Sequence, residues 1–545
     1  MGRAPIRLWL LVVAAVTALA WNLGGFHFLD PDEGRTAEIA REMVASGDFV
    51  VPHLDGLPYL DKPVCYFAAA AVAMMAVGQT EAAVRLPALL ATVGTMALLV
   101  AFARRRWGAT AGCLAGLAFA TMPLTLGYAH AALIDSMLTL STTAAILAFA
   151  DDRPALAWGA MAVGALTKGP VALAVPLVTL APYAMATGVP LRRFVTWPGV
   201  VVFGIVALPW CVAVTAQFPA FPTYVFGRET FLRFATTTFH RSAPLWYYLP
   251  ILAAGAFPWI VPACAGMTRW RAAWQARREP AVRESMLFAA WVLGPLVLFT
   301  LDRSKLPQYV LPVMPAIALA AARTIALRGP GVAAKSGVAA ALALAAAFLV
   351  ISRTGTPLPL TPAEWAAVPG TALALSVALA GSAVGLGLAA LSRRRDLGAL
   401  AYALPGLVLP VASQSLMAAV GDDRSSAALA AAIAPALAGG VLFGVATFPP
   451  SLPFYLRHSM LVATGDGHEL TSTYVVTYLG TLRGPTSPLK GPNEWRRALD
   501  NCPAPTVFVV PAGDTAVRRS FAELPVIADD GHNVAFGPCQ PPRHE

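Results

Sequence analysis

A chain of 545 residues in which 57% are hydrophobic and only 12% charged falls outside the range of soluble globular domains, where about a quarter of residues carry charge. The balance excludes an ordinary water-soluble domain and fits a polytopic α-helical membrane protein. The net charge of +10 does not mark nucleic acid as a partner: the arginines gather in short clusters between apolar runs, as in cytoplasmic loops, and no groove of arginines interleaved with aromatics is visible.

In chain order, Arg3 and Arg7 precede an apolar run from Leu8 to about Leu29. It is too long for a signal-peptide core and predicts an uncleaved first span with the N-terminus inside. Residues 29–62 follow, dense in Asp30, Asp32, Glu33, Arg35, Glu38, Arg41, Glu42, Asp48, Asp55, Asp61 and Lys62. A short helix is expected over Gly34–Ala45, with Asp32 either its cap or a functional carboxylate beside the membrane. Residues 64–78 are apolar but short, and are read as interfacial or packed against the bundle. From Ala82 the runs predict spans near 82–103, 109–126, 131–150, 154–167, 170–187, 196–216, 246–266, 285–301, 306–327, 332–352, 370–392 and 397–419, about thirteen with the first. That alternation puts Arg104–Arg106, Arg153, Arg192–Arg193, the 269–283 loop, Arg328 with Lys335, and Arg393–Arg395 all inside. Residues 29–81, 217–245 and 353–369 fall on the other side, the periplasm of a Gram-negative cell.

The last part changes character. Residues 424–447 could make a further span, but Pro435 and Gly439–Gly440 break the run. A helix over Ser425–Leu437 and a strand over Val441–Thr447 are predicted instead. An extended run near His458–Ala463 and strand-like stretches at 506–510, 525–529 and 533–537 complete a small α/β domain. The division expected is a transmembrane domain over 1–420, with juxtamembrane loops 29–81 and 217–245, and a soluble domain over 421–545. Thirteen spans place that domain outside; fourteen would place it in the cytoplasm. Cys65, Cys113, Cys211 and Cys264 read as packing residues. Cys502 and Cys539 are free to pair if the tail lies outside the cytoplasm.

The polar groups of the outer side carry the chemistry. Asp135, in AHAALIDSML, is a carboxylate just inside an apolar helix, costly unless hydrated or paired. Lys62, Lys168, Arg241, Arg303 and Lys305 map to the same face. Cations converging there suit a phosphate or diphosphate, lysine as a point charge and arginine as a fork. Snorkelling at a span end accounts for Arg303, less well for Lys62 in its proline-flanked DKP turn.

DEGRTAEIAREMVASGDFVVPHLDGLPYLDKP (32–63) resembles the signature of the dolichyl- or polyprenyl-phosphate-sugar transferases, within them the bacterial aminoarabinose transferase and protein O-mannosyltransferase-like group. RLPALLATV (85–93), LIDSML (133–138), LTKGPVAL (166–173), ALPW (207–210), HRSAPLWYYLP (240–250), FPW (257–259), SKLPQYVLPVMPAIAL (304–319) and SLPFYL (451–456) follow in order. The resemblance implies a GT-C fold: a transmembrane bundle with periplasmic juxtamembrane helices and a periplasmic C-terminal domain. It implies transfer of an aminoarabinose-like pentose or a hexose from polyprenyl (undecaprenyl) phosphate to a lipid A-like or other lipid, or to a protein hydroxyl, at the periplasmic face of the bacterial inner membrane.

By that resemblance Asp32 is the base or acceptor-orienting carboxylate, with Asp135 close by. Lys62 holds the donor phosphate, Arg35 lies one helical turn from Asp32, and Tyr59 and Tyr309 donate to the phosphate. Lys168, Arg241 and Lys305 complete the substrate-binding set. No cofactor is required. Asp61 and His240 stand where relatives hold a divalent metal, but two ligands make no zinc site by themselves. Thr36 replaces an aromatic residue and Asp61 a glutamate found in relatives. A transporter or flippase of lipid-linked sugars is the alternative; internal repeats and midplane ionisable groups would mark it, and neither is seen. A non-catalytic scaffold would leave the carboxylate–lysine cluster without a role.

Overall fold

Long apolar runs fold as helices because a bilayer offers backbone polar groups no partner outside their own segment. The computed structural model describes residues 5–232, 243–354, 360–437, 439–502 and 504–539. Among them six helices are long and apolar enough to cross a membrane: Glu81–Trp107, Trp197–Gln217, Arg283–Leu301, Pro307–Arg328, Pro330–Thr354 and Pro362–Ser392. Three bent pairs bring the number to nine if each is one span: Ala109–Ala120 with Pro123–Ala129, Tyr248–Gly255 with Ile260–Gly266, and Arg395–Ala412 with Gln414–Arg424. The first helix, Ile6–Ala20, has 15 residues and stops well short of Leu29. The breakers Asn22 (φ 54°), Gly24 and Gly25 end it.

The chain divides into two compact units. One comprises the described residues of Met1–Leu23, Arg85–Gln217 and Phe226–Leu416; the other those of Gly24–Val84, Phe218–Val225 and Met417–Glu545. Residues 24–84, counted from sequence with the transmembrane part, thus group with the C-terminal residues.

In the first unit, large aromatics fill the core and small residues let helix backbones meet. Trp259 and Trp291 are fully buried. Each satisfies its indole N–H, on Thr121 Oγ1 at 2.8 Å and on the Pro312 carbonyl at 2.9 Å, as a buried donor must. A Cβ on Gly294 would meet the Val178 carbonyl oxygen at 2.1 Å, and one on Gly406 the Thr121 oxygen at the same distance. Such glycine approaches are the usual means of packing helices in lipid. Outward, Trp197, Ile205 and Val212 of one helix are exposed, a surface suited to hydrocarbon. Charges gather at one end of this unit. Arg105 and Arg106 bond Asp151 at 2.6 and 2.9 Å, Arg106 and Trp107 bond Glu284 at 3.0 and 2.8 Å, and Arg193 bonds Asp152 at 2.8 Å.

The second unit holds all the strands found. β1 (His53–Leu54) and β2 (Leu57–Pro58) form a hairpin whose turn residues Asp55 and Gly56 both have positive φ, 55° and 73°, as a tight Asp-Gly turn requires. The other strands are β3 (Val441–Val445), β4 (Met460–Ala463), β5 (Leu489–Lys490), β6 (Thr506–Pro511), β7 (Val526–Asp529) and β8 (Asn533–Cys539). They form one sheet ordered β5-β4-β3-β6-β8-β7, parallel through β6 and antiparallel beyond it. The inner strands are continuous apolar runs because both faces are covered. Phe443, Phe508, Phe521, Phe536 and Trp495 make the core, and Cys502 is disulfide-bonded to Cys539.

Helix Asp32–Ser46 begins two residues earlier than expected. Asp32 is its first residue and not its cap; no side chain caps it. Glu33 instead reaches back to accept from the Leu29 amide at 3.0 Å, and Gly47, in the left-handed region, ends the helix.

Candidate active site

Burial sorts the acidic stretch into enclosed carboxylates and a partly open one. Asp30 is structural. Its carboxylate accepts from the Ser451 hydroxyl at 2.5 Å and the Ser451 amide at 3.1 Å, and burial pushes it up to about 7 against those bonds. Ser451 opens the SLPFYL helix, whose Phe454 and Tyr455 rings lie 5.0 and 5.9 Å from that of Phe28. The motif thus serves to dock two stretches far apart in sequence. Asp55 is likewise buried; it accepts from the Met460 amide at 2.8 Å, and burial raises it to about 8. Glu38 is enclosed by the fork of Arg41 at 2.6 and 2.7 Å.

Asp32 differs, with a side chain 38% exposed. One helical turn on, Arg35 donates to its Oδ1 at 2.5 Å, the i, i+3 geometry that lets a helical pair meet. Arg35 also donates to the Thr471 hydroxyl at 2.7 Å and the Thr471 carbonyl at 3.3 Å, and its guanidinium lies 5.8 Å from the centre of the buried Tyr59 ring. Burial opposes the charge on Arg35, but Tyr59, Asp32 and Asp61 outweigh it and hold the guanidinium above its ordinary range.

Asp61 is buried and engaged on both oxygens. The Tyr224 hydroxyl and the Tyr474 amide donate to Oδ1, the latter at 2.8 Å, and the Thr473 amide donates to Oδ2 at 2.9 Å. Lys62 follows, its ammonium 2.8 Å from the Asp61 carbonyl. Among the described residues no group of three or more His, Cys, Asp or Glu has metal-binding geometry. Asp61 is the one expected ligand among them, and donors already occupy it. His240, with Arg241, lies outside the described residues. No step through a metal follows from this arrangement.

The other unit brings together three expected residues that the sequence holds apart. Asp135 starts helix Asp135–Ala150 and Lys168 ends helix Pro154–Lys168. The ammonium donates to Asp135 Oδ1 at 2.5 Å and stands 4.7 Å from the centre of the Tyr309 ring, close enough for a cation–π contact. Both charges are largely shielded, at 5% and 14% side-chain exposure. Lys305 donates to the Asp302 carbonyl at 2.6 Å within its own turn. Sequence reasoning missed Thr471 and Tyr224. Neither lies in a recognisable motif, and both act on residues far away in the chain.

Comparison with known proteins gives likenesses of sequence and of fold. Residues 61–213 match a family model described as dolichyl-phosphate-mannose-protein mannosyltransferase. An undecaprenyl phosphate-alpha-4-amino-4-deoxy-L-arabinose arabinosyl transferase of Serratia proteamaculans is 33% identical over 57% of this chain and 58% of its own. One of the same name from Pectobacterium carotovorum is 32% identical over 61% and 62%. The chain thus spans about three-fifths of the length of the curated relatives it matches. Similarity of structure extends further. The crystal structure of ArnT from Cupriavidus metallidurans bound to undecaprenyl phosphate superposes with a TM-score of 0.84 at 27% identity, covering 98% of this chain and 99% of that one. By these likenesses the chain resembles the aminoarabinose transferase and protein O-mannosyltransferase-like superfamily. It has the GT-C fold, largely helical with a strand-containing C-terminal domain. Among the described residues, Asp32–Arg35 and Asp135–Lys168 are carboxylate–cation pairs drawn from the expected site residues.

Proposed function

We propose that this protein is an integral-membrane glycosyltransferase. It moves an aminoarabinose-like pentose or a hexose from undecaprenyl phosphate to a lipid A-like or other acceptor at the periplasmic face of the bacterial inner membrane. The observation that carries the reading is the likeness, over nearly the whole chain, to a structure holding undecaprenyl phosphate. Thirteen spans follow if the four shorter helices Ile6–Ala20, Asp135–Ala150, Pro154–Lys168 and Val171–Thr187 cross with the nine longer or paired ones. The boundary near residue 420 then separates membrane and periplasmic parts. A disulfide in the C-terminal part suits an oxidising compartment. The clustering of arginines beyond one end of helix Asp135–Ala150, with Asp135 at the other, agrees with this sidedness.

In the reaction the acceptor oxygen attacks the anomeric carbon. The bond from that carbon to the phosphate oxygen breaks, and undecaprenyl phosphate leaves with the electron pair. The acceptor proton must go to a base. Asp32, partly exposed, takes it, and Arg35 fixes the carboxylate's direction. Lys62 and Arg241 meet the negative charge that grows on the departing phosphate, with Tyr59 and Tyr309 as hydroxyl donors. Lys168 holds Asp135 oriented for the acceptor or the sugar. Lys305 adds positive charge at its turn.

The test is product analysis. Purified protein, undecaprenyl phosphate-linked 4-amino-4-deoxy-L-arabinose and lipid A should yield modified lipid A and free undecaprenyl phosphate, in equal amounts and only together. Movement of the intact donor across liposomes without cleavage would instead support a flippase.

A further inference from the structure

Four consecutive residues of the C-terminal part reach both arms of the candidate site within their own unit. Thr471, in the left-handed region at φ 51°, turns its hydroxyl and its carbonyl to the same Arg35 nitrogen, 436 positions away. Ser472 then caps helix Thr473–Leu482 by accepting from the Val475 amide at 3.3 Å. The next two amides, Thr473 and Tyr474, would be unpaired at a helix start. They donate to the Asp61 carboxylate, 412 and 413 positions away, where the helix dipole also favours a negative charge. Tyr224 closes the arrangement. Its hydroxyl donates to Asp61, and its ring stands edge-on to Tyr474 at 5.2 Å between centres.

We propose that Thr471–Tyr474 is a positioning element for the transfer reaction, and this rests on the function proposed above. Its first residue holds Arg35 against Asp32. Its last two fix Asp61, and with it the backbone that presents Lys62. The C-terminal part thereby sets the aim of the base and of the phosphate-binding lysine, a role separate from any recognition of acceptor. Asp61 is a structural anchor in this scheme, a use of the carboxylate that its three donors support.

The test uses the full-length protein in detergent, with turnover of undecaprenyl phosphate-linked 4-amino-4-deoxy-L-arabinose on lipid A and, separately, binding of undecaprenyl phosphate alone. A hydrogen bond to a charged group supports changes of about tenfold. Thr471→Val should lower kcat by about that factor and leave undecaprenyl phosphate affinity within about twofold; Thr471→Ser should restore it. In an Arg35→Gln background Thr471→Val should have no further effect, because the hydroxyl acts through Arg35. Tyr224→Phe should weaken undecaprenyl phosphate binding by about fivefold with little change in kcat. Near wild-type values for both Thr471→Val and Tyr224→Phe, with Asp32→Asn inactive, would overturn the inference and leave the functional reading standing. So would a Thr471→Val loss that serine does not restore or that persists unchanged without Arg35. Full activity of Asp32→Asn would instead remove the functional reading. A wild-type protein that neither turns over the donor nor binds undecaprenyl phosphate would remove both.

Discussion

The Lys168 ammonium lies 2.5 Å from the Asp135 carboxylate, although 33 positions separate them in the chain. The pair joins the start of one helix to the end of the next. Each charge alone would suffer the cost of burial without its partner; together they are tolerated. Lys168→Met should therefore destabilise the protein by about 3 kcal/mol, read as a lowered melting temperature in detergent. The double variant Asp135→Asn with Lys168→Met should recover much of that loss. A single variant as stable as wild type would show that the pair does not hold these helices.

The buried acids of the second unit make stability depend on pH. Asp30 is raised to about 7 and Asp55 to about 8, in both cases by burial first. Each binds its proton more tightly folded than unfolded. The stability they contribute is complete below the ordinary carboxylate range and drains away as pH rises, until about 7 for Asp30 and about 8 for Asp55. Melting of this unit should shift to lower temperature between pH 4 and 8, and Asp30→Asn should flatten that slope. A melting temperature that climbs across the same interval would contradict the assignment.

Gly34 carries a steric prediction. A Cβ there would stand 1.9 Å from Asp30 Oδ1 and 2.6 Å from the Ser451 amide nitrogen, so Gly34→Ala must break the Asp30–Ser451 contact. Helix propensity alone favours alanine by about 1 kcal/mol. The contact should win, giving a net loss of about 1–3 kcal/mol. Thermal unfolding decides the sign: a stabilised variant would mean that Asp30 and Ser451 move apart without cost.

Much of this was legible in the sequence because helix and strand leave different marks. The runs from Ala82 onward fold as helices, most of them near their expected bounds, but the one expected from residue 370 already starts at Pro362, and the runs at 109–126, 246–266 and 397–419 are bent pairs. Val441–Val445, Thr506–Pro511 and Asn533–Cys539 are strands because β-branched and aromatic runs between glycines and prolines suit a covered sheet. The first helix ends before its apolar run does: hydropathy continues through Trp21–Phe26, while Asn22 and the two glycines turn the chain. The site was legible as residue types, not as pairings. Asp32 with Arg35 follows from helical spacing. Asp135 with Lys168, Arg35 with Thr471 and Asp61 with Tyr474 depend on tertiary packing that no local pattern encodes. Nor does local sequence separate Asp30, buried against Ser451, from Asp32, two residues on and open to solvent.

The central claim is that Asp32 removes the acceptor proton during sugar transfer. Single-turnover release of undecaprenyl phosphate from undecaprenyl phosphate-linked 4-amino-4-deoxy-L-arabinose, with lipid A present, tests it directly when wild type and Asp32→Asn are compared as purified, folded proteins. The account predicts that Asp32→Asn binds undecaprenyl phosphate with near wild-type affinity and slows release by at least about a thousandfold. Release by Asp32→Asn at the wild-type rate would contradict it.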